Sequence, residues 1–317
     1  MSQAQAGALA TGTSTTQAPG RGSRGPRHAR YEWSALLFVG PSLLLALVFL
    51  ILPMAGAFVY GFAKIAPLSG RTTWVGWSNY ATMVTDPTFY RSVVNTAVFT
   101  LLTVPLSMAI GLALAVLMNS VLPARKVFRT VVYLPLVISG VSVGLIGTFL
   151  YNEVIGIVNK LLAVAFLPQV QWQSNGFWAF VSVVLVTLWI RVGFSMIIYL
   201  AALQAVPVEL YEAASVEGAS TWQTFRHITL PLVGPATFFL IIMNVIYSFQ
   251  VFDTIYVLTN GGPGSATEVL GTYAYKTAFG ATRDQGYGAA IGVVIFFITL
   301  VFTVVQWRTS RNRDEVA

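Results

Sequence analysis

The charged side chains that could support chemistry are concentrated in one polar stretch of an otherwise apolar chain. Glu209, Glu212 and Glu217 lie close together, and Arg226 and His227 follow them. Long apolar runs flank this stretch on both sides. Carboxylates, a guanidinium and an imidazole at this spacing suit ion pairing and hydrogen bonding to another surface. We therefore predict a docking segment, with a purely structural loop as the alternative.

The other reactive residue types exclude most catalytic and metal sites. The chain contains no Cys, which excludes disulfides and thiolate metal ligands. His28 and His227 are far apart in the sequence and do not suggest a metal pair. No Gly is followed by Lys, so the phosphate loop that needs this dipeptide is absent. We predict no catalytic residue, no metal site and no cofactor in this chain, so that any ATP and Mg²⁺ would be bound by a partner.

Two short helices are predicted within the polar stretch. Good helix formers fill residues 209–214, and Gly218 is placed to end that helix in the left-handed conformation. The residues from Ser220 to Gln223 match a capping box, so a second helix is expected over Thr221–His227. The prolines of Pro231–Pro235 should then stop and restart the chain.

This segment carries a family resemblance. Glu212-Ala213-Ala214, then Gly218-Ala219, then Ile228-x-Leu230-Pro231 resembles the EAA loop of membrane subunits of binding-protein-dependent ABC importers. Glu217 stands where Asp is usual and keeps the carboxylate. In that family the loop is a coupling helix that sits in a cleft of a separate ATPase subunit. The resemblance implies that the ATPase-coupling residues are Glu212, Ala213, Ala214, Glu217, Gly218, Phe225, Ile228, Leu230 and Pro231.

Composition identifies the broad class of the protein. The chain is 56% hydrophobic and only 9% charged, with a mean hydropathy of +0.73. Soluble domains carry about a quarter charged residues. The sequence therefore predicts an integral membrane protein.

Apolar runs long enough to cross a membrane recur along the chain. The run Val154–Phe166 is too short to cross and is expected at the outer membrane interface. We predict an all-α polytopic protein with six transmembrane helices, estimated at 34–60, 91–120, 130–151, 177–204, 235–258 and 287–307.

The two ends of the chain are predicted to be cytoplasmic tails. Residues 1–33 are rich in Gly, Ser, Thr and Arg, and they should be disordered. Lys and Arg are more numerous on the side of this tail, of the coupling loop 205–234 and of the 309–317 tail, so that side should be cytoplasmic. The transmembrane domain would then be 34–308. Nucleic-acid binding by the basic tail is disfavoured next to a membrane span.

Arg191 is the one charge near the middle of a predicted span, the fourth. A charge facing lipid is costly, so this side chain should face a polar cavity or a polar partner. Three roles stay open. Arg191 could pair with an acid such as Asp253, line a substrate path, or make a contact in a gate.

The fifth predicted span adds a line of polar side chains. Asn244, Ser248 and Val251 are spaced i, i+4 and i+7, so they should share one helix face. Gln250 and Asp253 follow towards the outer end. Amides and hydroxyls beside aromatic rings suit a sugar, which presents hydroxyls and apolar ring faces. Hydrogen bonding between helices would use the same residues and is the alternative.

Further motifs narrow the resemblance to sugar transport. Trp189-x-x-x-Gly193-Phe194 resembles the carbohydrate-import branch, in which a basic residue at this place is common. Sugar permeases of the maltose and glycerol-3-phosphate type are similar at Leu258-Thr259-Asn260-Gly261-Gly262-Pro263, Thr267, Tyr273, Tyr275, Ala278-Phe279 and Gly288-x-Ala290. A tight turn and an interfacial aromatic belt would explain much of that second pattern without a function. The resemblance implies a sugar site between the fourth and fifth spans, with the candidate residues Arg191, Phe194, Asn244, Tyr247, Ser248 and Gln250.

The same resemblance implies the activity and the partners. The chain would be the permease subunit of an ATP-driven importer of a di- or oligosaccharide, with the type I ABC importer fold, in the bacterial cytoplasmic membrane. Its partners would be a second homologous permease subunit, two ATP-binding cassette subunits, an extracytoplasmic solute-binding protein, the sugar and membrane lipid.

Three other functions stay open. An importer of glycerol-3-phosphate or its diesters with the same fold is the nearest alternative. An ion-coupled secondary transporter would need an acidic residue at mid-membrane, whereas Asp253 lies towards the outer end of the fifth predicted span. A membrane scaffold is the third.

Small residues recur at helical spacing inside the predicted spans. Gly and other small side chains let helix backbones approach closely in lipid. Packing within the chain is the favoured interpretation and a subunit interface the alternative. The positions are Ser107, Gly111 and Ala115, then Gly140 and Gly144, then Gly288 and Gly292.

Overall fold

A computed structural model of the chain describes residues 33–65, 70–120 and 124–314. The predicted tail, apart from Trp33, and residues 315–317 lie outside this part. The chain divides into two compact units, Met1–Ile51 and Leu52–Ala317. The described part of the first unit is a helix that continues into one π-helical turn.

The described chain is mainly helical, with one small antiparallel hairpin. The hairpin strands are Ala63–Ile65 (β1) and Thr72–Trp74 (β2). The α-helices are Trp33–Ala46 (α1), Leu52–Tyr60 (α2), Ser78–Thr85 (α3), Pro87–Asn119 (α4), Arg125–Val137 (α5), Gly140–Leu150 (α6), Ile157–Val164 (α7), Gly176–Gln204 (α8), Val208–Val216 (α9), Thr221–Thr224 (α10), Leu230–Leu232 (α11), Gly234–Phe249 (α12), Asp253–Leu258 (α13), Leu270–Phe279 (α14) and Gln285–Asp314 (α15). Two π-helices occupy Leu47–Ile51 and Phe225–Thr229.

Within the residues that the structure describes, four to six stretches are long and apolar enough to cross a membrane. Four are single stretches, at Phe38–Tyr60, Pro87–Asn119, Gly176–Gln204 and Gln285–Arg308. Two more qualify only as bent pairs. Arg125–Val137 with Gly140–Leu150 bends by 103°, and Thr221–Leu232 with Gly234–Phe249 bends by 63°.

The predicted third span, 130–151, is wrong as one continuous helix. The helix ends at Val137, and a new one begins at Gly140. Pro135 removes a backbone donor just before the break. Ser139 then caps the new helix, its Oγ accepting a hydrogen bond from the backbone N–H of Ser142 at 3.2 Å.

The predicted fifth span, 235–258, is also interrupted. Helix α12 ends at Phe249, and α13 begins at Asp253. Val251 therefore does not share a helical face with Asn244 and Ser248, as the sequence pattern had predicted. The connecting residues Gln250, Val251 and Phe252 include no Gly or Pro, so no local signal marks this break.

Close packing of α4 and α8 forms much of the core. A Cβ added at Gly111 of α4 would lie 2.5 Å from Ser195 Cβ of α8, so the two backbones meet where Gly leaves room. Gly144 of α6 meets Val257 of α13 in the same way, with 2.8 Å to its Cβ. Packing within the chain is confirmed at these two positions. Gly292, by contrast, faces open space.

Three clusters of buried apolar side chains result. The first joins α4, α8 and α12, the second joins α4, α6, α8 and α13, and the third joins α3, α12, α14 and α15. Their largest fully buried members are Met196 and Leu240, then Phe99 and Ile255, then Leu270 and Ile291.

Asp86 ties three elements together at the start of α4. Its carboxylate accepts hydrogen bonds from the backbone N–H of Thr88 at 2.8 Å, from the Tyr287 hydroxyl at 2.7 Å, and from the Tyr273 hydroxyl. Partial burial acts to raise the pKa of Asp86, but the hydrogen bonds outweigh it and hold the pKa below its usual value. The ionised carboxylate is therefore the form that the fold selects.

Candidate functional site

The coupling loop 205–234 begins with the helix and turn that the sequence predicts. Helix α9 ends before Gly218, whose φ is +76°. The backbone N–H groups of Gly218 and Ala219 donate to Ser215 O at 3.1 Å and Ala214 O at 2.9 Å, which satisfies carbonyls at the helix end. The left-handed turn at Gly218 is confirmed.

The capping box at the second helix is confirmed as well. The Ser220 N–H donates to Gln223 Oε1 at 2.8 Å, and the Gln223 N–H donates to Ser220 Oγ at 3.4 Å. The predicted helix end at His227 is wrong. A π-helix over Phe225–Thr229 carries the chain into α11, where Pro231 is tolerated because it lies in the first turn.

The residues of the family motif differ in exposure within this loop. Ala214 is buried, and Phe225 and Ile228 are half-buried, so these three hold the loop together. The exposed members, which are free to meet another surface, are Glu212, Ala213, Glu217, Gly218, Leu230 and Pro231. Their contact with an ATPase stays a prediction.

Two exposed apolar side chains of the loop were missed by the sequence analysis. Val216 and Trp222 are both strongly exposed, and the Trp222 ring stacks on Phe225 with 5.6 Å between ring centroids. Large apolar side chains on a polar loop are typical of a contact surface for another protein. The available signal was the presence of Val and Trp between the motif residues.

A second site lies where the two helix breaks meet α8. A cavity of ≈ 330 Å³ is lined by Leu136, Ile138 and Gly140 at the α5–α6 break, and by residues 250–254 at the α12–α13 break. Irregular backbone at membrane depth is tolerated where it lines a cavity, and it marks binding sites in transporters. Of the predicted sugar-site residues, the cavity brings together Arg191, Phe194, Tyr247 and Gln250. We call it the Arg191 cavity.

Arg191 contacts an aromatic ring in this cavity. Its guanidinium carbon lies 4.2 Å from the centroid of the Tyr247 ring, which is cation–π geometry. In the part of the chain whose side chains the structure describes, Arg191 forms no ion pair and no hydrogen bond, so pairing with Asp253, one of the three roles left open by the sequence, is not what the structure shows. Asp253 lines the same cavity.

Close backbone packing positions Arg191. A Cβ at Gly193 would lie 2.5 Å from Val132 O, so α5 rests directly on α8 two residues after Arg191. Phe194 then meets Tyr247 edge to face, with 6.3 Å between the ring centroids. The Gly-Phe pair noted in the sequence thus has a packing reason.

Asn244 and Ser248 lie outside the Arg191 cavity. Both are buried, and Asn244 Nδ2 donates to Leu240 O at 2.9 Å within its own helix. Ser248 Oγ donates to Asn244 O at 2.8 Å and lies 3.3 Å from Thr103 Oγ1 of α4. For Ser248 this geometry favours the alternative of hydrogen bonding between helices, whereas the Asn244 hydrogen bond stays within α12. Contact of either residue with substrate stays a prediction.

A family model described as "Binding-protein-dependent transport system inner membrane component" matches residues 107–311. The chain is 36% identical over 278 residues to the arabinooligosaccharides transport system permease protein AraP of Bacillus subtilis, with 86% of this chain and 87% of that protein covered. It is 34% identical over 279 residues to the trehalose/maltose transport system permease protein MalF of Thermococcus litoralis, with 88% and 94% covered.

A solved structure is similar in fold as well as in sequence. It is the crystal structure of a bacterial alginate ABC transporter in complex with an alginate pentasaccharide-bound periplasmic protein. One of its chains matches with a TM-score of 0.78 and 27% identity, covering 88% of this chain and 94% of that one.

Proposed function

The chain belongs to the binding-protein-dependent transport system inner membrane component family, and from this premise we propose that it is the permease subunit of an ATP-driven sugar importer. The observation that carries the proposal is that the chain is similar, over most of its length, to permeases named for oligosaccharides and disaccharides. The cargo is a di- or oligosaccharide delivered by an extracytoplasmic solute-binding protein.

The chain crosses the cytoplasmic membrane six times in this proposal, with each bent helix pair counted as one span. The permease domain is 34–308, and both tails and the coupling loop 205–234 face the cytoplasm. The excess of Lys and Arg on that side supports this orientation. It also places the exposed Val216 and Trp222 where a cytoplasmic partner can reach them.

The complex contains a second, homologous permease subunit and two ATP-binding cassette subunits. ATP closes the cassettes, and their movement is passed to the membrane helices through the coupling loop. The exposed residues Glu212, Glu217 and Gly218 contact the cassette. The Tyr211 hydroxyl lies 3.2 Å from Thr229 Oγ1, and this hydrogen bond connects α9 to the helix that enters the membrane. Access to the cavity then alternates between the two sides because the contacts at its ends differ in the two states.

The Arg191 cavity suits a sugar chemically. Tyr247, Phe194 and Phe252 offer ring faces, and Arg191, Gln250 and Asp253 offer hydrogen bonds. Its volume of ≈ 330 Å³ lies at the lower end of the range for ligand sites, about 300–1,000 Å³. A saccharide unit held there would lie between the two helix breaks.

Reconstitution of the whole complex in proteoliposomes tests the proposal. We expect ATP-dependent uptake of at least one member of a panel of radiolabelled maltose, lactose and arabinotriose. Uptake of glycerol-3-phosphate alone would reassign the substrate class. Loss of uptake on adding a proton uncoupler, with ATP still present, would indicate an ion-coupled transporter, and no uptake with no solute-stimulated ATP hydrolysis would indicate a scaffold.

A further inference from the structure

Four aromatic rings form a continuous row at the end of α12 that is remote from the coupling loop. Phe252 stacks on Tyr256, with 5.1 Å between centroids, and contacts Tyr275 at 4.8 Å. Tyr256 and Tyr275 are 5.2 Å apart, and Tyr275 meets Phe279 at 5.3 Å. We call these four residues the aromatic row. It runs from the α12–α13 break across α13 to the end of α14.

The aromatic row connects two cavities. Phe252 lines the Arg191 cavity. Tyr256, Tyr275 and Phe279 line a second cavity of ≈ 650 Å³ beside α14. Both volumes lie within the range typical of ligand sites, about 300–1,000 Å³. The second cavity also has polar lining residues, among them Asn260, Lys276 and Asp284.

The rings of the row are available for contact. Tyr256, Tyr275 and Phe279 are 36%, 39% and 64% exposed. Within the described part of the chain, the hydroxyls of Tyr256 and Tyr275 form no hydrogen bond, so both can donate to or accept from a ligand. The row therefore offers ring faces for apolar contact with hydrogen-bonding groups at the edges of those faces.

The row is held rigidly by its surroundings. A Cβ at Gly271 would lie 2.7 Å from Val251 O, so α14 packs directly against the α12–α13 break. Lys276 Nζ lies 2.6 Å from Glu268 Oε2 and donates to Asn260 O at 2.6 Å, which fastens α14 to the preceding loop. A rigid aromatic surface loses little conformational entropy when a ligand binds to it.

We propose that the aromatic row is a binding track, on which saccharide rings stack as the sugar passes between the second cavity and the Arg191 cavity. A sugar ring has two apolar C–H faces and a polar rim, which match ring faces flanked by polar groups. An acyl chain has no hydrogen-bonding groups and so would leave the polar residues at both ends of the row without a partner. The inference rests on the proposed function, because it takes the cargo to be a saccharide.

Transport kinetics of the reconstituted complex test the track. Tyr275→Ala and Phe279→Ala should each raise the KM for saccharide uptake between about twofold and about tenfold, the range for one aromatic contact. Tyr275→Phe keeps the ring and should stay within about twofold of wild type. Phe149→Ala is the matched control, because Phe149 is 67% exposed but lies outside the row and both cavities.

Cysteine labelling gives a second, direct readout. The chain contains no Cys, so Phe279→Cys and Phe149→Cys each place a single thiol in it. In the assembled complex, a methanethiosulfonate reagent should label Phe279→Cys, and the transported member of the maltose, lactose and arabinotriose panel should slow that labelling at least about threefold. Labelling of Phe149→Cys should not respond to the sugar.

The outcomes separate the track from the proposed function. If the wild-type complex imports no sugar of the panel, the proposed function fails and the track falls with it. If the wild type imports sugar while the row variants keep its KM and sugar gives no protection, only the track is overturned. An unreactive thiol at Phe279→Cys without sugar would instead show that another subunit or lipid covers the row, which also overturns it.

Discussion

The guanidinium of Arg191 contacts an aromatic ring and not an acidic side chain. The guanidinium lies 4.2 Å from the Tyr247 centroid, and such a contact contributes about 1 kcal/mol when partly shielded from water. The sequence located the charge and the ring correctly but could not pair them, because they come from α8 and α12. Pairing with Asp253 was one of the three roles that the sequence left open, and the structure places the two residues in one cavity without an ion pair.

Replacement of the ring tests what holds Arg191 in place. Tyr247→Leu should raise the KM for sugar about fivefold, since about 1 kcal/mol of positioning is lost. Tyr247→Phe keeps the ring face and should behave like the wild type. Uptake assays in proteoliposomes measure both, with the melting temperature as the control for folding. An equal loss in the two variants would mean that the hydroxyl matters and the ring face does not.

Ser248 illustrates how a polar residue can serve packing. It lies 3.3 Å from Thr103 Oγ1 and is buried between α4 and α12. Ser248→Leu should therefore overpack this contact and destabilise the protein by about 1–3 kcal/mol. The measurement is thermal unfolding of the purified complex in detergent, beside sugar uptake. A raised KM at an unchanged melting temperature would instead support the prediction that Ser248 contacts substrate.

The turn between α9 and α10 depends on the backbone conformation of Gly218. Its φ of +76° costs an ordinary L-residue about 1–2 kcal/mol, and no atom lies within 4 Å of a Cβ placed there. Gly218→Val should therefore disturb the turn through the backbone alone. Co-purified ATPase and solute-stimulated ATP hydrolysis should fall, while the membrane helices stay folded.

A matched variant isolates that effect. Gly218→Asn should retain most of the coupling, because Asn tolerates the left-handed region far better than a β-branched residue does. Normal ATP hydrolysis and normal co-purification with Gly218→Val would remove the turn from the coupling mechanism.

Packing of α4 on α8 can be tested by replacing two glycines, one that is crowded by a neighbouring helix and one that is not. Gly111→Ala places a methyl group 2.5 Å from Ser195 Cβ, so the two helices must move apart, at a cost of about 1–3 kcal/mol. Gly292→Ala meets nothing within 4 Å and should leave stability unchanged or slightly higher, because Ala is the better helix former. Thermal unfolding in detergent measures both. Equal melting temperatures would contradict the close approach at Gly111.

The predictable elements are those with local signals. Long apolar runs located α4, α8 and α15, and the capping residues located the start of α10. The break after Phe249 carried no Gly or Pro, and its stability comes from contacts with distant segments such as Gly271. Short helices such as α14, Leu270–Phe279, lack the length that identified the spans. For this reason the Arg191 cavity could be predicted only as a set of candidate residues and not as a geometry.

Beyond single elements, the chain from Leu52 onward is joined by contacts between residues far apart in the sequence. Asp86 is the clearest case, since its partners Tyr273 and Tyr287 lie 187 and 201 residues away. No spacing rule could reveal such a contact. The contact joins the start of α4 to α14 and α15, and α14 carries half of the aromatic row.

The lowered pKa of Asp86 makes this junction sensitive to acid. A carboxyl group whose pKa is lower in the folded state than in the unfolded state stabilises the fold above the unfolded pKa of 3.8, and that contribution is lost as pH falls through the folded pKa.

Asp86→Asn should therefore lower the melting temperature at pH 7. Between about pH 5 and about pH 3 the wild type should lose stability faster than the variant, so that the two curves converge. Thermal unfolding across this pH range measures the difference in melting temperature between the wild type and Asp86→Asn. The other carboxylates are the same in both proteins, so their contributions cancel in this difference. Tyr287→Phe removes one hydrogen-bond donor and so moves the folded pKa of Asp86 closer to the unfolded pKa. Its acid-dependent loss of stability should therefore begin at the same pH as in the wild type, end at a higher pH and be smaller in total. Parallel curves for wild type and Asp86→Asn at every pH would show that the hydrogen bonds, and not the charge, hold α4 to α14 and α15.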